Sequence, residues 1–188
     1  MTAQPYTSVR DLPCCSHTST YLKMPTKPSR KRPTMPVSQP PTDPTQQLQW
    51  LVDRAAISDV LVDFARALDE KDWEGYANHY VDDGVLSFPG GVGHAGRTGM
   101  ADFAAASLSR YAGTHHLSSN YAISVEGDVA TARAYLIAVH IFDATDPTRH
   151  ADGAGWYNCR LRRTVDGWRL TEVAFQVSYL SGEMMFPL

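Results

Sequence analysis

Hydrophobic and polar residues recur with two different periods along the chain. From Leu48 to about residue 70, apolar residues return every three to four positions, which predicts one long amphipathic helix over 45–70. The apolar stripe of this helix consists of Ile57, Val60, Leu61, Phe64, Ala65 and Leu68. Two shorter helices are predicted to follow, one capped by Asp72 and ended by Asp82-Asp83-Gly84, the other capped by Thr98.

From His115 onward the period changes to two, and β-branched and aromatic residues become frequent, as is typical of strands. The pattern predicts strands over 115–125, 130–142, 155–164 and 168–180, a polar loop over 143–154, and a short earlier strand over 85–88 before a glycine-rich loop. Helices followed by an antiparallel meander predict an α+β fold. We expect a cone-shaped α+β barrel in which three N-terminal helices pack on a curved, mostly antiparallel sheet and leave a pocket at its open end.

Residues 1–47 differ from the rest of the chain in composition. Nine of the 12 prolines and a loose cluster of Lys and Arg lie there, so we predict a disordered, basic tail followed by one domain over 48–188. The tail has two interpretations: an anion-binding or targeting arm, or a solvated leader. In the second case Met24 or Met35 is the true start.

Charge and cysteine content narrow the choice of partners and compartment. The net charge of −3 gives no reason to expect a nucleic-acid partner. The three cysteines suggest neither a disulfide framework nor a metal site, which favours a reducing, cytoplasmic location. The chain also lacks an apolar run of roughly 20 residues, so no membrane association is expected.

Asp69 and His116 are the candidate catalytic residues. Asp69 borders the apolar stripe at the end of the first helix, and His116 lies in the first long strand. A carboxylate on one imidazole nitrogen fixes the tautomer and leaves the other nitrogen free to accept a proton. The alternatives are a surface Asp69 paired with Arg66 and a core His116 bonded to backbone. His115 alternates to the opposite face.

Three further residues are candidates for binding a substrate. His140 is either a second acid in the pocket or a core histidine, and Tyr157 and Gln176 are placed to hydrogen-bond a carbonyl or hydroxyl. Cys159 has no basic neighbour in the sequence and is interpreted as core. The remaining histidines show no metal-ligand spacing, and the glycines of 89–96 match no phosphate-binding motif, so neither a metal nor a cofactor is expected.

Three segments resemble the SnoaL-like branch of the nuclear-transport-factor-2-like superfamily. They are 53–73, with Asp69-Glu-Lys-Asp-Trp73; 114–130, with Thr114-His-His-Leu-Ser-Ser-Asn120; and 162–170, with Asp166-Gly-Trp168. The branch includes scytalone dehydratase, lindane dehydrochlorinase and polyketide cyclases. The first two use an Asp–His pair whose members fall on Asp69 and His116.

The resemblance also implies roles for other positions. The tyrosine that assists dehydration falls on Phe88, which has no hydroxyl and is a fourth candidate for binding a substrate, and a substrate-binding asparagine falls on Gln176. Relatives often associate through the outer face of the sheet, which implies a homodimer or homotrimer. An outward row of Val173, Phe175, Val177 and Tyr179 would agree with this, and the apolar stretch 182–188 is expected to cover the pocket or join an interface.

Two functions remain open at this point. The first is a cofactor-independent lyase or isomerase acting on a small, mostly apolar, oxygenated molecule, with His116 as base and Asp69 as its orienting residue. The second is a non-catalytic ligand-binding or assembly subunit with the same fold, which the missing hydroxyl at Phe88 favours.

Overall fold

The computed structural model describes residues 38–183, and these form three helices packed on one sheet. The helices are α1 (Pro44–Asp69), α2 (Trp73–Asn78) and α3 (Met100–Leu108). The strands are β1 (Tyr80–Ser87), β2 (Gly93–Ala95), β3 (Gly113–Glu126), β4 (Val129–Asp143), β5 (Asp146–Thr164) and β6 (Gly167–Gly182), with a 3₁₀ turn at Pro89–Gly91. The predicted α+β class is confirmed.

The sheet has the strand order β2-β1-β6-β5-β4-β3. All neighbouring strands are antiparallel except β1 and β6, which run parallel. The apolar stripe of α1 contributes Ile57, Leu61 and Phe64 to a core that also receives inward side chains of α2, α3 and the five longer strands. The sheet is therefore mixed but mostly antiparallel.

The start of α1 lies inside the predicted tail. Asp43 caps the helix by accepting a hydrogen bond from the Gln46 backbone N–H, and Pro44 occupies the first turn, where no backbone N–H is needed. Trp50 Nε1 also donates to Ser38 Oγ at 3.1 Å, so residues from 38 onward contact the domain. The prediction for residues 1–37 lies outside the described residues, and so does the prediction for the stretch 182–188 from residue 184 onward.

The polar loop predicted over 143–154 is wrong, because β5 begins at Asp146 and continues to Thr164. The link from β4 is a tight turn in which Asp143 accepts hydrogen bonds from the backbone and side chain of Thr145. Pairing with β4 is irregular beside Pro147, between Ile141 and Asp143, and such a site tolerates a residue without a backbone N–H. Pairing with β4, joined from Ala151 onward by pairing with β6, keeps this polar stretch extended.

Two smaller predictions also need correction. Asp82-Asp83-Gly84 does not end α2, which stops at Asn78; these residues lie in β1, where Arg97 and Arg162 pair with the two carboxylates. Val173 and Phe175 are not exposed on the outer face of β6, since their side chains are 0% and 8% exposed. They point into the core, which reverses the predicted orientation of the strand.

Candidate active site

Asp69 is the last residue of α1, and it lies where that helix meets the start of β3. Glu70 caps the helix, and Lys71 takes a left-handed backbone conformation with φ 58° that turns the chain toward α2. The Lys71 ammonium donates to the carbonyl of Tyr111 at 2.9 Å, just before β3 begins. This contact holds the end of the helix against the strand that carries His116.

The Asp69 carboxylate accepts three hydrogen bonds from β3. His116 Nδ1 lies 2.6 Å from Asp69 Oδ1, and the His116 backbone N–H donates to Oδ2 at 2.8 Å. Thr114 Oγ1 donates to Oδ1 at 2.9 Å. Thr114 and His116 are two positions apart in a strand, so their side chains lie on the same face. The contact between Asp69 and His116 that the sequence predicted is present.

The protonation of the pair follows from these contacts. Burial raises the pKa of the Asp69 carboxyl, but the hydrogen bonds from the His116 side chain and backbone and from Thr114 outweigh it, so its pKa lies below the ordinary value of 3.8. An ionised carboxylate only accepts hydrogen bonds, so Nδ1 of a neutral His116 carries the proton and Nε2 carries the free lone pair.

The surroundings of His116 are mostly closed. Its side chain is 5% exposed and that of Asp69 is 23% exposed. Within the described residues, the buried side-chain atoms without a hydrogen-bond partner include Arg133 Nε and Asp152 Oδ1, whereas His150 Nδ1 lies 3.0 Å from Asp152 Oδ2. The Nε2 atom of His116 is not among them. Four surface depressions of about 210 to 430 Å³ are lined by residues other than the pair.

His140 lies beside the pair on β4. Its ring is 5.3 Å from that of His116 at an angle of 87° and 4.8 Å from that of Tyr111. Nδ1 lies 2.9 Å from the carbonyl oxygen of Ala151 and therefore donates, which leaves Nε2 as an acceptor. Burial lowers the pKa of His140 to about 4. His140 is thus neutral near pH 7, and its backbone contact fits the core histidine that the sequence also allowed.

Tyr157 and Phe88 belong to an aromatic row inside the sheet. The Tyr157 ring lies 5.7 Å from Phe64 and 5.3 Å from Phe175, and Phe88 lies 6.0 Å from Phe175. Burial raises the pKa of Tyr157, with smaller contributions that include the charge of Asp69. Its hydroxyl therefore stays protonated and able to donate.

Gln176 does not belong to the site, contrary to the sequence-based prediction. Cross-strand partners point to the same face of a sheet. Tyr157 pairs with Phe175 and both are buried, whereas Gln176 pairs with Trp156 on the outer face and is exposed. Val173 and Phe175 fill the inner positions of β6, so Gln176 points away from Asp69.

Two contacts of α1 were not predicted. Thr114 belongs to a segment that resembles the family, but its hydrogen bond to Asp69 was not predicted. Its position two residues before His116, on the same face of the strand, could have indicated this contact. Asp53 is buried and bonded to Arg163 Nη1 at 2.6 Å and Nη2 at 2.8 Å, and Trp168 Nε1 donates to it at 3.2 Å. No pattern in the sequence indicated that Asp53 pairs with Arg163 and Trp168.

The described residues contain neither a group of side chains that could hold a metal ion nor a helix that could cross a membrane. In the range 38–183, no three or more His, Cys, Asp or Glu side chains are grouped so as to hold a metal ion. None of the helices in that range has the length and apolar character needed to cross a bilayer. Cys159 is buried, and burial raises the pKa of its thiol to about 12.

Comparison with known protein families identifies the family of this domain. The family model described as "SnoaL-like domain" matches residues 49–174. The chain belongs to the SnoaL-like family. The matched range contains both Asp69 and His116, and it covers α1 to the middle of β6.

Solved structures agree with this assignment of a SnoaL-like domain. A putative aromatic ring hydroxylase from Novosphingobium aromaticivorans is 28% identical, with a TM-score of 0.64 over 71% of this chain and 94% of that one. A putative scytalone dehydratase from the same organism is 22% identical, with a TM-score of 0.65 over 71% and 89%. A hexachlorocyclohexane dehydrochlorinase, LinA type 2, is 20% identical, with a TM-score of 0.64 over 73% and 93%. They confirm the superfamily and its fold.

Proposed function

We propose that this SnoaL-like domain is a cofactor-independent lyase or isomerase that removes a proton from a small, mostly apolar, oxygenated molecule. The observation that carries the proposal is the contact of 2.6 Å between His116 Nδ1 and Asp69 Oδ1. It supports a neutral imidazole whose Nε2 is available as a general base, which is typically worth about 10²–10⁴ in rate.

The roles of the neighbouring residues follow from their protonation. Asp69 orients His116 and stabilises the imidazolium that forms when Nε2 takes the proton. His140, neutral with an unprotonated Nε2, accepts a hydrogen bond from a substrate hydroxyl. Tyr157 stays protonated and donates to the oxygen on which negative charge develops. Phe88 offers an apolar ring and no proton.

The names of the structural neighbours are compatible with this chemistry. A dehydratase and a dehydrochlorinase both carry out eliminations, in which a proton is removed while a group leaves the neighbouring carbon. Loss of hydroxide from that carbon would make the reaction of this chain a dehydration. Return of the proton at another carbon would make it an isomerisation, and closure of a carbon–carbon bond a cyclisation.

Proton removal itself is the step to test, because all three reactions begin with it. Purified protein in D₂O with a chelator is mixed with a panel of apolar ketones headed by 2-tetralone, and loss of the α-proton NMR signals is followed. We expect catalysed exchange that falls about 10²–10⁴-fold in His116→Ala. His115→Ala is the matched control, since His115 is the exposed neighbour on the opposite face, and it should exchange at the unaltered rate. Equal rates in both variants would refute the base.

A non-catalytic ligand-binding or assembly subunit is the second candidate. Phe88 supports it, because the resemblance places an assisting tyrosine there and the phenylalanine ring has no hydroxyl to donate. This alternative predicts that the ketones bind, with shifted protein NMR signals, while none of them exchanges protons above the uncatalysed rate.

We further propose that copies of the chain associate through the outer face of the sheet in the cytoplasm. Leu117, Ile137 and Tyr179 lie in one cross-strand row on this face, with Ala154 between the last two, and are 50%, 44% and 49% exposed. Ile137→Glu should convert a dimer or trimer to a monomer in light scattering, whereas Val129→Glu, at the exposed start of β4, should not. A monomeric unaltered protein would refute this association.

A further inference from the structure

Thr114 has a contact that its place in the strand does not require. Its hydroxyl donates to Asp69 Oδ1 at 2.9 Å, and this is the same oxygen that lies 2.6 Å from His116 Nδ1. The other oxygen of Asp69 accepts from the His116 backbone N–H. The carboxylate is thus held at both oxygens, and the hydroxyl of Thr114 is the one side-chain donor to it besides His116 among the described residues.

The backbone limits where this hydroxyl can go. Thr114 pairs with His140 on β4, and His116 pairs with Ala138, so both donors are fixed by the β3–β4 ladder. A β-branched side chain in a strand has few χ1 rotamers. The Thr114 hydroxyl is therefore held in position by the fold before any ligand binds, as a residue that orients a catalytic carboxylate must be.

We propose that Thr114 is a positioning residue for the base: its hydroxyl keeps the Asp69 carboxylate in the orientation that holds His116 in a single tautomer. The proposal rests on the function proposed above. Thr114 does not touch the reacting atoms; it acts through Asp69. Its second effect is electrostatic, since a donor to Oδ1 stabilises the ionised carboxylate.

This electrostatic effect has a sign that can be tested. The titratable groups that face Asp69 are His116 on β3, His140 on β4 and Tyr157 on β5. Tyr157 stays protonated and His140 neutral near pH 7, so neither changes charge there. The hydrogen bond from Thr114 helps to lower the pKa of Asp69. Without it, more of the negative charge of the carboxylate acts on His116, so the Asp69–His116 pair takes up a proton at higher pH and activity on the acid side should be lost sooner.

The variant Thr114→Val removes the hydroxyl and keeps the shape, and Thr114→Ser restores the hydroxyl. Exchange of 2-tetralone protons is measured from acid to neutral pH in both variants. We expect Thr114→Val to lower the plateau rate about tenfold or more, since hydrogen bonds to charged groups are among the stronger ones. We also expect the acid limb of its profile to move to higher pH. Thr114→Ser should restore both features.

A matched control separates positioning from packing. Thr131→Val makes the same change at a half-buried position of β4 that pairs with Ser124 and Arg160, and it should move neither the plateau nor the acid limb. If Thr114→Val lowers the melting temperature but leaves the plateau rate and the acid limb unaltered, Thr114 is a structural residue and the proposal is wrong.

A second readout does not depend on turnover. The ¹⁵N NMR signals of the His116 ring report which nitrogen carries the proton. We expect one tautomer in the unaltered protein and in Thr114→Ser, and a mixture in Thr114→Val. A mixture in Thr114→Val without exchange of any ketone by the unaltered protein would leave the positioning role standing and refute the base. If the unaltered protein exchanges the protons, and the rate, the acid limb and the tautomer are all unchanged in Thr114→Val, the base stands and the positioning role of Thr114 is refuted.

Discussion

Helix α1 carries two carboxylates that the sheet engages in different ways. Asp53 is 4% exposed and meets the guanidinium of Arg163 through both carboxylate oxygens, with further hydrogen bonds from Trp168 and Gln49. The hydrogen bond from Arg163 is the largest cause that lowers the pKa of Asp53. Asp69, at the other end of the helix, meets the imidazole of His116 instead.

The nature of the partner decides what each carboxylate does. An arginine remains charged at every accessible pH, so the Asp53 pair has one protonation state and acts as a structural link between α1 and the ends of β5 and β6. An imidazole has one nitrogen that can take up a proton from a substrate while the other stays bonded to a carboxylate, so the Asp69 pair can accept a proton and return it. The same residue type on the same helix therefore stabilises the fold at one end and supports chemistry at the other.

The largest expected effect is the loss of activity when Asp69 is substituted. In Asp69→Asn the backbone N–H of His116 still needs an acceptor, so the amide oxygen turns toward it and the amide NH₂ faces His116 Nδ1. Nδ1 must then accept, and the ring proton moves to Nε2, where the base is needed. We expect proton exchange to fall about 10²–10⁴-fold with a nearly unaltered melting temperature. A variant with full activity would remove Asp69 from the mechanism.

The same substitution at Asp53 should give the opposite result. Asp53→Asn removes the buried carboxylate and leaves Arg163 paired only with the exposed Asp128, and breaking such a partly buried pair destabilises by up to about 3 kcal/mol. Denaturant unfolding measures this loss, while exchange per folded molecule should stay as in the unaltered protein. A loss of exchange with intact stability would show that Asp53 is not merely structural.

A smaller effect of pH on stability is expected from His140. Because burial lowers its pKa from 6.5 to about 4, the unfolded chain binds a proton over this range that the folded chain does not. Stability should be full above about pH 6.5 and should decrease by about 3 kcal/mol as the pH falls toward 4. His140→Gln should flatten this slope, apart from a contribution in the same direction from His79, whose pKa burial also lowers. An equal slope in His140→Gln would contradict the assignment.

Helix α1 and the faces on which Asp69 and His116 lie could be predicted because local patterns determine them. The stripe from Ile57 to Leu68 fixes the buried side of α1 and places Asp69 at its edge, and a period of two separates His116 from His115. The resemblance to known Asp–His pairs then brought the two segments together. Neither step needed knowledge of the sheet register.

What the sequence did not predict depends on tertiary pairing. Residues 146–154 are polar yet extended, because β4 pairs along this stretch and β6 joins on the other side from Ala151 onward. The orientation of β6 was assigned to the wrong face for a related reason: apolar residues occur at positions on both faces, and the pairing of Tyr157 with Phe175 decides that Gln176 points outward. The hydrogen bond from Thr114 to Asp69 likewise depends on where two distant segments meet.

The account depends most directly on where the proton of the His116 ring lies, and one measurement reports it. A ¹⁵N correlation spectrum of the imidazole, recorded on the unaltered protein at neutral pH, distinguishes a protonated ring nitrogen from a bare one. We predict a protonated Nδ1, facing Asp69, and a bare Nε2. A protonated Nε2 with a bare Nδ1 would contradict the account, because the nitrogen assigned as the base would already carry its proton.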